Sequence, residues 1–531
     1  MRGYLKKLKP DNFEDIVAML ALYRPGPLDA GMVEDYIDVK HGADIKYPHP
    51  LLEEILKPTN GVFLYQEQVM KSAQVLAGYT LGGADILRRA MGKKKPEEMA
   101  KQRDVFVKGA AEKEIDEKKA NEIFDLIDKF SGYGFNKSHS VAYAYISYQT
   151  AWLKSHYPAP FMASVLSGMM DDTDRVAFTV SETKKMGLTI NKPSIAEGKF
   201  EFGILDEKTI TYGLGSIKGV GEAFINEIVN ERSSNGEFKD LFDFCLRIDK
   251  KFLNRRAIEA LIYSGAFDIF KHNRATLLET YPIAIKQAEQ QQKDQMLGQG
   301  GLFSEQKIDS YEAVYRIKNE LDFNHKVKLE KGVMGYYFDT YPTDEHIKTE
   351  KIISAKLLRN QRFRENRESR VIAYISKLNF RTTNKGDQMV SILIEDKDIS
   401  INAVVFAKNM DKVREHLNID EVCLFTGKIS KDFRDEWQLT VEDIEPIENE
   451  KQKHVKFVEI ILNQKHLNRI DQLQEIINKN SGDCPVRFRI VRENAQGLIK
   501  LDKEIGFKAS KENQLKIDDF LGNSCVNFIY Q

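Results

Sequence analysis

The sequence predicts a multidomain α+β protein, and three observations predict it. The chain has 531 residues, more than one hydrophobic core organises, so several units of about 100 to 200 residues are expected. Apolar residues recur at helical spacing through roughly the first 195 positions, and from about residue 368 they change to short alternating runs rich in β-branched side chains. Hydrophobic residues are 42% and charged residues 30% of the chain, the balance of packed protein rather than of a disordered one.

The elements follow in order. Residues 1–199 form a large helical domain, in which Ile123, Phe124, Ile127 and Phe130 repeat at helical spacing until Gly132 interrupts them. Residues 200–282 open with Phe200, Phe202 and Ile204, then Asp206-Glu207-Lys208, then Ile210 and Tyr212, which predicts two short strands about a turn. Short helices punctuated by Gly215, Gly219, Gly221, Gly236 and Gly265 follow and make a second, smaller helical module. Six glutamines lie between Gln287 and Gln299, leading into Gly300-Gly301, so residues 283–310 are expected to be a flexible linker. A connecting segment, 311–367, precedes five β-rich runs: Val371 to Ile375, Met389 to Glu395, Ile401 to Phe406, Glu421 to Gly427 and Trp437 to Glu442. With one helical insert near Lys408 to Leu417, residues 368–449 fit a five-stranded OB-type β-barrel. Residues 450–531 mix strands with a helical stretch from Leu467 to Asn478, which predicts a small C-terminal α/β domain.

Charge and composition narrow the function. Lys plus Arg total 79 against 80 for Asp plus Glu, so the average field cannot gather a polyanion and any nucleic-acid surface must be local. No apolar stretch approaches the roughly 18 to 20 residues that span a bilayer, and Met1 to Lys7 has no apolar segment behind it, so no membrane contact and a cytoplasmic location are expected. The four cysteines, Cys245, Cys423, Cys484 and Cys525, are far apart and read as reduced thiols. The ten histidines show no zinc spacing, and no metal site is expected.

Four segments carry candidate chemistry. From Arg88 to Lys113 there are nine Lys or Arg against four Asp or Glu; on a helix, Arg88 or Arg89 lies one turn from Lys93, so the cations can converge on a phosphate chain. The same residues also fit a solvated helix face. Gly132-Tyr133-Gly134-Phe135-Asn136-Lys137-Ser138-His139-Ser140, followed by Tyr143, Tyr145 and Tyr148, offers a permissive backbone, donors for phosphate or sugar, and flat rings for a base. Equally it fits a helix-joining turn with Tyr145, Tyr148 and Trp152 as a core stripe. Ile217-Lys218-Gly219-Val220-Gly221 has the small-apolar-small spacing that aims backbone N–H groups of a helix-hairpin-helix at DNA phosphates, and Leu261 to Asp268 looks like a degenerate second copy; the pair also fits a plain αα turn. Gln299-Gly300-Gly301-Leu302-Phe303 places two apolar anchors in a polar tether, which fits a short-peptide recognition pattern and equally an incidental hydrophobic spot. One absence matters as well: no strand carries the paired aspartates that two-metal phosphoryl transfer needs. Asp396 and Asp398 have the spacing but fall where a solvated turn is expected, Asp171-Asp172 reads as a helix cap, and Asp518-Asp519 is expected before a terminal helix or loop.

Ala21-Leu22-Tyr23-Arg24-Pro25-Gly26-Pro27-Leu28, Tyr65-Gln66-Glu67-Gln68-Val69-Met70, Leu87 to Lys95 and Gly134 to Ser140, in this order, resemble the fingers domain of the alpha subunit of bacterial replicative DNA polymerase III, and the resemblance continues to the C-terminus. It implies that Arg88, Arg89, Lys93, Tyr133, Asn136, Lys137, His139 and Tyr143 face an incoming dNTP. Lys218, Gly219, Val220 and Gly221 would hold duplex DNA, while Phe380, Arg381 and Lys385 at a strand tip of the barrel would guide single-stranded template. Gln299, Leu302 and Phe303 would bind the sliding clamp (beta subunit), and the last domain would contact the clamp-loader tau subunit. The family's palm, with its catalytic aspartates and Mg2+, has no counterpart in this sequence, so no catalytic residue and no cofactor are expected here. Turnover is expected only with that palm, and contact with a proofreading subunit is not expected. The alternative is a separate, non-catalytic DNA-binding and clamp-binding protein.

Overall fold

The helical periodicity of the first part is realised in the computed structural model, which describes residues 1–93, 96–131, 133–296, 313–382, 386–397, 399–432, 435–492, 495–501, 505–522 and 525–530. Two units divide the chain, Met1–Phe161 and Met162–Gln531. The first is built from helices, among them Phe13–Leu22, Gln66–Ala77, Leu81–Lys93, Pro96–Ala111, Glu117–Ser131 and Lys137–His156. Asn12 and Asn136 start two of these by accepting from the backbone N–H three residues on, which satisfies a donor that the helix itself leaves unpaired. Ile123, Phe124, Ile127 and Phe130 all enter a core with Leu76, Leu87 and Phe106. A second core joins Val17, Leu22, Val33 and Tyr65 to Ala144. The Pro96–Ala111 helix passes so close to the end of the Gln66–Ala77 helix that a Cβ at Gly109 would stand 2.1 Å from the Ala77 carbonyl oxygen.

The Lys137–His156 helix departs from one expectation. Tyr145, Tyr148 and Trp152 are 58, 49 and 42% exposed, so they are no core stripe. The buried residues of the helix are Ser140 and Ala144. Periodicity shows that residues share a face but not which face finds a neighbour.

In the second unit Asp172 caps the Thr173–Lys185 helix as expected. The predicted hairpin is smaller than its apolar pattern and gains a strand: β1 (Thr189–Ile190) runs parallel to β3 (Thr209–Thr211), which pairs antiparallel with β2 (Gly203–Ile204). Helices Glu222–Asn235, Leu241–Arg247, Arg255–Tyr263 and Arg274–Met296 follow. The last of these corrects the start of the expected linker, since regular helix runs on from residue 283 to Met296. Buried Leu277, Tyr281, Ala284 and Ala288 hold its first half, and Gln, Glu and Lys beyond them are good helix formers. The expected clamp-binding Gln299, Leu302 and Phe303 lie outside the described residues, as does Lys385.

After the Phe323–Met334 helix come β4 (Lys356–Leu357), β5 (Arg367–Thr382), β6 (Gln388–Asp396), β7 (Ile399–Val405), β8 (Val422–Lys431) and β9 (Trp437–Pro446). Their order is β4-β5-β6-β7-β9-β8, and β5 also pairs with β8, so the path of hydrogen-bonded neighbours returns to its start. Only β7–β9 is parallel within that ring, and the Ala407–Val413 helix sits between β7 and β8, which is the OB-fold arrangement. Alternate residues of three strands, Val371, Ala373 and Ile375, Val390, Ile392 and Ile394, and Ile401, Ala403 and Val405, fill its core. The last part is a sheet of order β12 (Ala495–Lys500), β11 (Cys484–Arg492), β10 (Val455–Leu462), β14 (Val526–Tyr530), with β13 (Gly506–Phe507) on β11. The helices Ile470–Lys479 and Lys511–Leu521 contribute to its core.

Two acidic positions differ from or refine the sequence expectation. Asp396 is not in a solvated turn but fully buried, accepting from Thr343 Oγ1 at 2.5 Å and from Arg359 Nε and Nη2 at 2.7 and 2.5 Å. Those partners lie 53 and 37 residues away, beyond what a local pattern can reveal. Asp518 lies within the Lys511–Leu521 helix and accepts from the backbone of Cys525 and Val526. Asp398 is outside the described residues.

Candidate nucleotide and nucleic-acid interfaces

Three of the motifs quoted above converge in the first unit. Phe135 N–H donates to Leu64 O and Gln66 N–H to Phe135 O, a short parallel bridge that lays Gly134 to Ser140 along the start of the Gln66–Ala77 helix. At that start Glu67 accepts from Asn136 Nδ2 at 2.9 Å and from the Lys137 backbone N–H at 3.1 and 3.0 Å. A carboxylate at the first turn of two helices, its own and Lys137–His156, is favoured by both helix dipoles. Arg24 ties in the third motif: its guanidinium donates to Ala21 O at 2.8 Å and Tyr133 O at 2.6 Å and lies 4.4 Å over the Phe135 ring. Burial lowers its pKa below the ordinary arginine value. Close by, the Tyr133 ring takes the space of the side chain that Gly26 lacks, since a Cβ there would stand 2.2 Å from Tyr133 Cδ1.

This scaffold sets out the candidate side chains in a row. Phe135, His139 and Tyr143 succeed one another at helical spacing, with ring centroids 5.5 and 4.6 Å apart, and Tyr143 is exposed. Lys137 lies 3.5 Å from Glu14 and over the Tyr65 ring, a loose pairing that an anion can displace. Arg88 and Arg89 do not stand open. Both bind Asp85, at 2.8 Å each, and hydrogen bonding from Arg88 holds the Asp85 carboxyl below its ordinary pKa. Asp85 thus holds both guanidinium groups at one carboxylate, Arg89 being the more exposed. Lys93 ends that helix. Arg24, Glu67 and Asp85 were not among the candidates read from the sequence; Arg24 and Glu67 were visible only as members of quoted motifs.

In the second unit Ile217 and Val220 are buried while Lys218 is exposed. Gly219 has φ +95°, a conformation that favours glycine. Gly221 starts the Glu222–Asn235 helix with no side-chain cap, and the Phe224 and Ile225 N–H groups donate to its carbonyl. A Cβ at Gly219 would stand 3.2 Å from Arg256 Nε, so the exposed Arg256 adds a second cation beside Lys218 that local spacing did not suggest. The second copy is closed. Arg274 fills the mouth at Gly265, bonded to Tyr263 O at 2.6 Å, Glu330 at 2.9 Å and Asp268 at 3.3 Å. On the barrel, Phe380 and Arg381 are exposed near the end of β5.

Comparison with known proteins follows this division. Residues 1–114 match the family described as bacterial DNA polymerase III alpha subunit finger domain, 187–277 a helix-hairpin-helix motif, and 370–447 an OB-fold nucleic acid binding domain. The chain is 40% identical over 517 residues to DNA polymerase III subunit alpha of Vibrio cholerae, covering 95% of this chain and 45% of that protein. The chain belongs to the DNA polymerase III alpha-subunit family. To the alpha subunits of Pseudomonas fluorescens and Escherichia coli K12 it is 42% and 40% identical, over 535 and 516 residues, in each case covering 94% of this chain and 45% and 44% of the relative. It therefore spans about half the length of these alpha subunits. Among the described residues no group of three or more His, Cys, Asp or Glu side chains could hold a metal ion. No helix of the described residues is long and apolar enough to cross a membrane.

Proposed function

We propose that this chain binds primer-template DNA and positions a dNTP for DNA-directed DNA synthesis in chromosome replication. What carries the proposal is the meeting of Tyr65 to Gln68 with Gly134 to Ser140 through Glu67, which leaves His139 and Tyr143 as an exposed ring pair on the Lys137–His156 helix. Arg88, Arg89 and Lys93 would neutralise the triphosphate, bidentate from arginine and as a point charge from lysine. Tyr143 or Tyr133 would stack on the nascent base pair, with Asn136 and His139 as donors. Lys218 to Gly221, joined by Arg256, would hold duplex phosphates, and Phe380, Arg381 and Lys385 single-stranded template. Gln299, Leu302 and Phe303 would tether the chain to a sliding clamp, raising its effective concentration at the primer, and the last sheet would meet the tau subunit.

These roles are positioning and charge stabilisation; bond making needs metal-binding carboxylates that the described residues do not assemble. Primer extension tests this. The chain alone should bind primer-template DNA and incorporate no nucleotide, and robust incorporation would refute the assignment of catalysis to polypeptide outside it. Replacing Leu302 and Phe303 by Ala should abolish capture on immobilised clamp while DNA binding is retained.

A further inference from the structure

The second unit contains a cleft of about 470 Å³ that none of these assignments uses. Its walls are the Thr173–Lys185 helix, the segment Gly335 to Tyr341, and the adjoining parts of β5, β6 and β7. Asp174, Phe178, Ser181 and Lys185 succeed one another at helical spacing along the first wall. Phe178 is 64% exposed there, an unusual position for a large apolar ring unless it has something to cover. Tyr336, half-buried, also lines the cleft, with Tyr337 and Phe338 buried behind it.

The lining is also basic: Lys184, Lys185, Lys331, Lys377 and Lys397 against Asp174 and Glu395. Two of these cations are committed to the fold, Lys184 to Phe338 O and Lys331 to Asp420. The others are available to an anion. Lys377 follows a bulge in β5, between Ile375 and Lys377, which redirects it, and its pairing with Asp174 is 3.4 Å between two largely exposed groups. Lys397 is exposed at the turn after β6, with φ +55°, where buried Asp396 anchors the backbone. Lys185 pairs with Glu182 at 3.5 Å.

An exposed flat ring beside lysines with only loose pairings is what a nucleotide with its phosphates requires. A duplex is too wide for a cleft of this volume. The same strand carries Lys377 and, about 13 Å further along at ~3.3 Å per residue, Arg381 beside exposed Phe380, so a strand leaving the barrel has a basic path to the cleft. We propose that this cleft is a second single-stranded nucleic-acid subsite, separate from the barrel tip, with one base against Phe178 and flanking phosphates on Lys377, Lys397 and Lys185. The proposal rests on the reading of this chain as a nucleic-acid-binding protein.

The test uses the full chain and fluorescent oligothymidylates of increasing length. Phe178→Ala should weaken binding of the longer oligomers about 5- to 100-fold, and Lys377→Ala with Lys397→Ala should lower the salt slope by about 0.7 per lysine. Duplex affinity at the Lys218 hairpin should be unchanged, which also reports that the variants fold. An oligomer carrying one 5-iododeoxyuridine should crosslink on irradiation to the peptide containing Phe178. Crosslinks confined to the Phe380 region, with cleft variants binding like the parent, would overturn the cleft and leave single-strand binding intact. Equal competition by free thymidine monophosphate and by oligomers would overturn the polymeric ligand. No binding of any oligothymidylate would overturn both the cleft and the single-strand role of the barrel.

Discussion

Replacing Asp396 by alanine should destabilise the OB-fold region by about 3 kcal/mol. The carboxylate is fully buried and takes four hydrogen bonds, from Thr343 Oγ1, Arg359 N–H, Arg359 Nε and Arg359 Nη2. Truncating one partner of a buried ion pair costs about 3 to 5 kcal/mol, most of it from the charge left behind. Here the lower end applies, because Arg359 is 18% exposed and keeps Asp344 at 3.0 Å. Asp396→Asn retains an acceptor for Thr343 and should lose about 1 to 2 kcal/mol. The chain's two tryptophans are Trp152 and Trp437, so in a Trp152→Phe background fluorescence follows β9 alone. Urea unfolding read from Trp437 should show the midpoint fall, and the thermal transition should move down by more than about 10 °C for a region of this size. A double-mutant cycle with Arg359→Ala should return a coupling of about 2 kcal/mol or more. A loss within about 0.5 kcal/mol, the usual cost at an exposed turn, would refute the buried network and restore the solvated turn.

Arg24→Ala should loosen the Gly132 to Ser140 segment, losing two hydrogen bonds and a cation–π contact worth about 2 to 3 kcal/mol together; limited proteolysis near Tyr133 reports it, and Arg24→Lys should not rescue, since an ammonium cannot reach both carbonyls while stacked on Phe135. For duplex DNA, Lys218→Ala and Arg256→Ala should each reduce the salt slope by about 0.9, while the same change at Arg274 should lower stability without altering the slope. Burial first, then the charges of Lys451 and Lys511, lowers the pKa of His346 to about 3, and its Nδ1 has no hydrogen-bond partner. The unfolded chain then binds a proton that the folded one refuses, so the contribution of His346 is complete above about pH 6.5 and lost as pH falls towards 3, at up to ~1.4 kcal/mol per pH unit. His346→Gln should flatten that part of the stability profile in urea titrations at successive pH values.

Much of this molecule is legible in local pattern because the physics that shapes it is local. Alternation is enough to place β5, β6, β7, β8 and β9, since a half-buried strand must present every second side chain to the core. Ile217 to Gly221 predicts its own hairpin because Gly219 must adopt a positive φ and Ile217 and Val220 must be buried. Local pattern was less informative where two segments must first meet. Tyr145, Tyr148 and Trp152 share spacing with core residues, yet they are exposed. The glutamine-rich stretch buries little, yet it continues a helix anchored further back.

The sequence by itself determined the order of helical block, hairpin module, barrel and terminal sheet, and the motifs that place the chain among DNA polymerase III alpha subunits. Only the tertiary structure decided that Glu67 and Arg24 bind the Tyr133 to Ser140 segment, that Asp85 holds both arginines, that Arg256 joins Lys218 while Arg274 seals the second hairpin, and that Asp396 is buried. The reason is one of range. Backbone conformation and side-chain alternation are set by neighbours a few residues away, whereas a charge finds its partner only after folding has brought distant segments within about 3 Å, and desolvation there decides what each group can still bind.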